Sequence, residues 1–191
     1  MVKLKQLLIA GILLLVIGAS ALPHLLDVPS ELRTPNYTLA EYPWFEPGDR
    51  PGSCVHASTI TLMNMHAMDE LAAWWRATYH SGEYGGGLQA KLTAAGVKFA
   101  VTETGDAAFL EWACRNRLGA VIFFKPAHCV NLVDFNDEYA VILDNNSTER
   151  FEMIPREEFL RRWRAPYQQG GGTGFALTLV YNPPTPWPTT P

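Results

Sequence analysis

The placement of proline limits most strongly what this chain can fold into. Eleven of its 14 prolines lie in two stretches, six from Pro23 to Pro51 and five in the last ten residues, NPPTPWPTTP. Because proline lacks a backbone N–H and has a fixed φ, such stretches do not form helices or sheet interiors. Residues 23–50 are predicted to be an extended linker that lies over the domain or joins it to a membrane, and residues 182–191 a Pro-rich tail. Residues 51–181 then form one domain.

The first 22 residues, MVKLKQLLIAGILLLVIGASAL, place two lysines before an uncharged apolar run. This pattern is typical of a signal peptide or a membrane anchor helix, and both alternatives stay open. Because the lysines favour the cytoplasmic side, both alternatives place the rest of the chain outside the cytoplasm. We therefore expect a periplasmic or extracellular domain that is either secreted or attached to a membrane by residues 1–22.

Charge and cysteine content limit the partners and bonds to be expected. The net charge is −4 and there is no Lys/Arg-rich run, so nucleic acid is not an expected partner. The cysteines are Cys54, Cys114 and Cys129, an odd number, so at least one thiol is expected to be unpaired. Cys114 and Cys129 either form a disulfide or are small buried hydrophobes. No cysteine or histidine spacing is typical of zinc, so neither a metal nor a cofactor is expected.

Hydrophobic periodicity predicts a mixed fold. Residues 53–79 contain no Gly or Pro and repeat apolar residues at helical spacing, which predicts one long helix with Ser53 as its N-cap. Shorter helices are predicted before Gly96, after Asp106 and after Pro155. Strands are predicted over residues 97–102, 120–124, 128–135, 138–145, 151–154 and 175–181. The fold class is therefore α+β, with a long N-terminal helix that carries a cysteine and packs on an antiparallel β-sheet.

The segment HCVNLVDFNDEYAVILDN predicts a β-hairpin with its turn at Asn136-Asp137. His128 begins the first strand and Asp144 lies at the end of the second. A two-residue turn places His128 opposite Asn145, whereas a three-residue or bulged loop places it opposite Asp144. Both side chains are candidates to contact the imidazole, and we expect Asp144 because a carboxylate stabilises an imidazolium better than an amide does.

Cys54 lies at the predicted start of the long helix. Free N–H groups and the helix dipole stabilise negative charge there, so the thiol is a candidate nucleophile and its own amide a candidate oxyanion donor. Such a nucleophile needs a histidine as base, and the histidine needs a third group to orient it. The candidate catalytic residues are therefore Cys54, His128 and either Asp144 or Asn145.

These residues resemble a known family. The order Cys54, His128, Asp144, with SCVHAS on a helix and VILDNN at a strand end, is similar to papain-like cysteine peptidases, especially C39 peptidases and C39-like domains. The segments EEFLRRW and GGTGFALTLV are also similar, and the resemblance covers about residues 50–181. It implies a papain-like fold with Cys54 as nucleophile, His128 as base and Asp144 as orienting carboxylate. The family's oxyanion-hole glutamine has no counterpart in the preceding FEPGDRPGS.

Two functions of different classes follow from these observations. The first is a membrane-tethered or secreted papain-like cysteine peptidase, a thiol hydrolase with a Cys-His-Asp triad and a peptide or protein substrate. The second is a catalytically degenerate papain-like domain that acts as a subunit or scaffold of a membrane protein complex. The missing glutamine and the Pro-rich ends favour the scaffold, whereas the complete set of Cys, His and Asp favours the peptidase. A transglutaminase-like acyltransferase is a third reading, which the long Cys-to-His spacing disfavours. We expect the peptidase.

Overall fold

The computed structural model describes residues 27–36, 54–79, 82–125 and 128–180. The predicted signal peptide or anchor, the Pro-rich tail, the N-cap Ser53 and the FEPGDRPGS stretch lie outside these residues. Within the part of the chain that is described, no helix is both long and apolar enough to cross a membrane.

The described residues form five α-helices and one six-stranded sheet. The helices are α1 Cys54–Met65, α2 Asp69–Thr78, α3 Gly85–Ala94, α4 Ala107–Arg115 and α5 Arg156–Arg164. The strands are β1 Phe99–Thr102, β2 Ala120–Lys125, β3 His128–Phe135, β4 Tyr139–Asp144, β5 Ser147–Pro155 and β6 Ala176–Leu179. The sheet order is β1-β6-β2-β3-β4-β5, and each neighbouring pair is antiparallel. This is the predicted α+β class, with a cysteine-bearing helix packed on an antiparallel sheet.

The sheet separates two hydrophobic cores. Side chains alternate along a strand, so Ile122 and Phe124 of β2 join one core, whereas Val121 and Phe123 pack in the other. Cys114 lies in the first core and Cys129 in the second, and both thiols are free. The disulfide alternative is therefore wrong, and the two cysteines are small buried hydrophobes.

The prediction of one long helix over residues 53–79 is wrong, because α1 and α2 are separate helices. Between them Ala67 has a φ of 53°, in the left-handed region. The N–H of Met68 bonds to the carbonyl of Met63 at 3.0 Å, and the N–H of Ala67 bonds to that of Asn64 at 3.1 Å. This is a Schellman helix end. It escaped prediction because the left-handed position holds alanine rather than glycine or asparagine.

The described part of the predicted linker, residues 27–36, lies against the domain, and we call it the strap. Val28 is 1% exposed, and its N–H bonds to the carbonyl of Glu149 at 3.3 Å. Asp27 forms an isolated β-bridge with Arg150. Of the two predicted alternatives, these ten residues follow the one in which the segment covers the domain.

The helix end at Ala67 predicts opposite effects for the same substitution at two positions. Ala67→Gly should raise the free energy of unfolding by roughly 0.5–1 kcal/mol, because glycine adopts positive φ without the Cβ clash. Ala73→Gly, at an exposed position inside α2, should lower it by about 1 kcal/mol. Urea denaturation of both variants measures the two effects. A destabilised Ala67→Gly protein would contradict the left-handed helix end.

Candidate active site

Cys54 is the first residue of α1, and its sulfur lies at the start of β3. The backbone N–H of Cys129 donates to Cys54 Sγ at 3.2 Å. The first N–H groups of a helix have no acceptor within the helix, so they and the helix dipole surround this position with partial positive charge. Together these donors stabilise negative charge on the sulfur.

His128, the first residue of β3, joins the other two candidate residues. Its Nε2 lies 2.7 Å from Asp144 Oδ1, and its ring also forms a hydrogen bond with the side chain of Cys54. Because Nε2 faces the carboxylate, Nδ1 is the nitrogen left to face the thiol. The side chains of His128 and Asp144 are 11% and 12% exposed, so water has little access to their contact. The contact predicted between these two residues is present.

The charge of the imidazole follows from its neighbours. Burial lowers the pKa of His128, but the hydrogen bonds and negative charges of Asp144 and Cys54 outweigh burial and raise this pKa to about 9. The ring is therefore positively charged at neutral pH and donates from both nitrogens. This is the form that an imidazole needs to pair with a thiolate and to supply a proton.

Asp144 reaches His128 by a register that differs from both predicted ones. The turn has Asp137-Glu138 at its centre, because the N–H of Asn136 bonds to the carbonyl of Tyr139. The paired residues are Phe135 with Ala140, Asp134 with Val141, Leu132 with Ile142 and Asn131 with Leu143.

A β-bulge at Val133 accounts for the change of register along this hairpin. Between the turn and the bulge, an even-numbered residue of β3 pairs with an odd-numbered residue of β4, as Asp134 does with Val141. Beyond the bulge, even-numbered residues pair with each other, as Leu132 does with Ile142. Opposed residues share a face of the sheet, so the bulge places Asp144 on the face of His128. Without it, Asn145 would share that face.

Asn145, the alternative orienter, instead binds the groups beneath the site. It is 3% exposed, and its Nδ2 lies 2.8 Å from the carbonyl oxygen of Cys129, 2.9 Å from Ser58 Oγ and 3.2 Å from the carbonyl oxygen of Cys54. The amide therefore connects the start of α1 to β3. The structure brings Cys54, His128 and Asp144 together. Asn145 does not contact the imidazole through these bonds but binds the backbone that carries Cys54 and Cys129.

Sequence reasoning missed three residues of this site. Ser58 lies four positions after Cys54, on the same face of α1, and helical spacing is the signal that reveals it. Asn146 donates its backbone N–H to Asp144 Oδ1 at 2.9 Å, the Asx-turn pattern expected two residues after an aspartate. Asn36 of the strap bonds to Asn146, and nothing in its sequence surroundings signals that contact.

Neither a protein-family model nor a curated protein matches the sequence. A solved structure to which the chain is similar is described as the crystal structure of a double glycine motif protease from AMS/PCAT transporter in complex with the leader peptide. The TM-score is 0.46 at 18% identity, and the match covers 70% of this chain and 85% of that chain. The similarity is distant, so a function has to be inferred from this chain's own residues.

The raised pKa of His128 predicts a pH-dependent stability. A group whose pKa is about 9 when folded and 6.5 ordinarily stabilises the fold fully below pH 6.5, and the effect is lost as the pH rises through about 9. Between these limits the free energy of unfolding should fall by on the order of 2 kcal/mol, after allowing for solvent screening. Urea denaturation across this range should show a smaller fall for His128→Gln. Equal falls in both proteins would contradict the assigned charge.

Proposed function

We propose that this chain is a papain-like cysteine peptidase, a thiol hydrolase that cleaves peptide bonds through an acyl-enzyme on Cys54. One observation carries the proposal: the imidazole of His128 bonds both to the thiol of Cys54, at a helix N-terminus, and to the carboxylate of Asp144. Nucleophilic catalysis needs this combination of a thiol, a base within hydrogen-bond reach and a group that orients the base.

In the first step the proton of the Cys54 thiol lies on His128, and the resulting thiolate sulfur attacks the carbonyl carbon of the peptide bond. A C–S bond forms, and the π electrons of the carbonyl move to its oxygen. The backbone N–H of Cys54, at the start of α1, serves as a donor for that oxyanion. The protonated imidazole of His128 then gives its proton to the leaving nitrogen as the C–N bond breaks. The products of this step are an amine and a thioester on Cys54.

In the second step the neutral imidazole of His128 takes a proton from a water molecule. The water oxygen attacks the thioester carbonyl, the C–S bond breaks, and the electron pair returns to sulfur as the carboxylic product leaves. Asp144 holds Nε2–H throughout, so that Nδ1 stays directed at the sulfur and the substrate. His128 is thus the acid of the first step and the base of the second.

The second candidate is a domain that keeps this fold as a scaffold and does not react. The observation in its favour is that FEPGDRPGS, the stretch before Cys54, contains no glutamine. Loss of one oxyanion donor costs about 10²–10³ in rate in other hydrolases. The two candidates differ in whether Cys54 forms an adduct with a peptide electrophile.

The peptidase predicts selective labelling of one thiol. A peptide vinyl sulfone should add once to the folded protein, at Cys54, as measured by intact and peptide mass spectrometry. Cys54→Ala should abolish the adduct. The matched control Cys114→Ala should retain it, because burial, with a contribution from Asp134, raises the pKa of Cys114 to about 12 and leaves that thiol unreactive.

The same labelling assay tests the base. His128→Gln should slow the adduct by about 10²–10⁴-fold, because the imidazolium that pairs with the thiolate and supplies the proton is lost. Hydrolysis of a mixed peptide library, followed by mass spectrometry, should disappear in Cys54→Ala. A folded wild-type protein that is neither labelled nor active would support the scaffold instead.

We also propose that the domain works outside the cytoplasm, anchored or exported by residues 1–22, on peptide or protein substrates. The support is the pair of lysines before the apolar run, since positive charge stays on the cytoplasmic side.

This location is testable in a bacterial host. The full chain should fractionate with the membrane or with exported protein. A thiol reagent that does not cross the cytoplasmic membrane should label Cys54 after the outer envelope of the cells has been permeabilised. A variant that begins at Pro23 should remain in the cytoplasm. Recovery of the full chain as cytoplasmic protein with Met1 intact would refute export and anchoring.

A further inference from the structure

The strap ends beside the candidate active site. The backbone N–H of Asn36 bonds to the carbonyl of Asn145 at 3.1 Å, and Asn36 Nδ2 donates to Asn146 Oδ1 at 2.5 Å. Asn146 Nδ2 in turn lies 3.3 Å from His128 Nε2. Because Nε2–H of the charged imidazole is itself a donor, this approach is not a hydrogen bond, and the bonded connection to the imidazole runs from the backbone N–H of Asn146 through Asp144 Oδ1.

The strap also contacts helices α1 and α2. Asn64 Nδ2 on α1 donates to the carbonyl of Glu31 at 3.1 Å, and Arg76 on α2 donates to the carbonyl of Pro35 at 2.8 Å. Helix α1 begins at Cys54. The strap thus connects the last turn of α1, and α2, with the β4–β5 turn that directly follows Asp144.

The other end of the strap is anchored to β5. Asp27 forms a β-bridge with Arg150, and the N–H of Val28 bonds to the carbonyl of Glu149 at 3.3 Å. Closer to Asn36, Arg33 forms an ion pair with the same glutamate at 2.6 Å. Thr34 is 8% exposed, so part of the strap is buried against the domain. An element that is anchored at both ends restricts the movement of the turn that it contacts.

This turn needs to be held in place. Asp144 Oδ1 accepts from both His128 Nε2 and the backbone N–H of Asn146, so the carboxylate and the turn move together. Asn145 and Asn146 connect β4 to β5 at the sheet edge, where connecting segments are generally more mobile. A displacement of about 1 Å in a catalytic constellation can cost about 10² in rate.

We propose that Asn146, held by Asn36 of the strap, is a positioning residue for His128. The pair keeps the turn that carries Asp144 closed on the imidazole, so that the ring stays directed at Cys54. Both side chains are uncharged amides, so the contact persists while His128 changes protonation during the reaction. This inference rests on the proposed peptidase function and adds a role for the strap.

The test replaces each member of the pair. Asn36→Ala and Asn146→Ala should each lower kcat on a cleaved peptide, and the labelling rate of Cys54, by about 10–10². KM should change less than about twofold, because neither side chain is placed to bind the substrate. Asn36→Gln, which keeps the amide, should recover part of the rate. The control Ser30→Ala removes an exposed strap hydroxyl that donates to Glu31 Oε2 at 3.3 Å, and it should match wild type.

A second measurement separates positioning from simple stabilisation. Nitrogen NMR of His128 should show its titration in Asn36→Ala moving down from about 9 towards 6.5, because the contact with Asp144 loosens. A role confined to stability would lower the unfolding midpoint and leave this titration and kcat as in wild type, and that result would overturn the proposal.

The two proposals fail in different ways. If wild type is neither labelled nor active, the peptidase function fails, and the titration of His128 alone decides the positioning role. If both Ala variants keep the wild-type kcat and the wild-type titration, the positioning role fails and the peptidase stands.

Discussion

The hydrogen bond between His128 and Asp144, at 2.7 Å, is the interaction on which the rest of the site depends. It joins the first residue of β3 to the last residue of β4, so it exists only where the sheet register puts both on one face. It also holds the imidazole in its charged form and directs the remaining nitrogen towards Cys54. The bulge at Val133 therefore determines the geometry of the candidate site, because it sets that register.

Asp144, the last residue of β4, and Asn145, which follows it, make different contacts. Asp144 takes part in the site itself, whereas Asn145 points into the domain and binds Ser58 and the backbone of Cys54 and Cys129. Successive residues of a strand face opposite sides, so one short segment supplies both the carboxylate and its support. In a buried setting the three contacts of Asn145 Nδ2 hold the helix start at a fixed distance from β3.

Three segments far apart in sequence meet at this place: the strap, the start of α1 and the β3–β5 region. The strap touches α1, α2 and the β4–β5 turn through side-chain and backbone hydrogen bonds. A segment that composition describes only as a linker thereby becomes part of the proposed catalytic architecture. The geometry of the candidate site then depends on the position of the strap, the segment that precedes the domain in sequence.

Hydrophobic period and residue chemistry are local properties, so they were enough to predict the α+β class, most element types and the candidates Cys54, His128 and Asp144. The break at Ala67, the register of the hairpin and the contacts of Asn145 depend instead on how the elements pack together. An alanine at a left-handed position and a bulge without Gly leave no local mark. The contact between Asn36 and Asn146 joins residues 110 positions apart, and such contacts arise only when packed elements bring distant segments together.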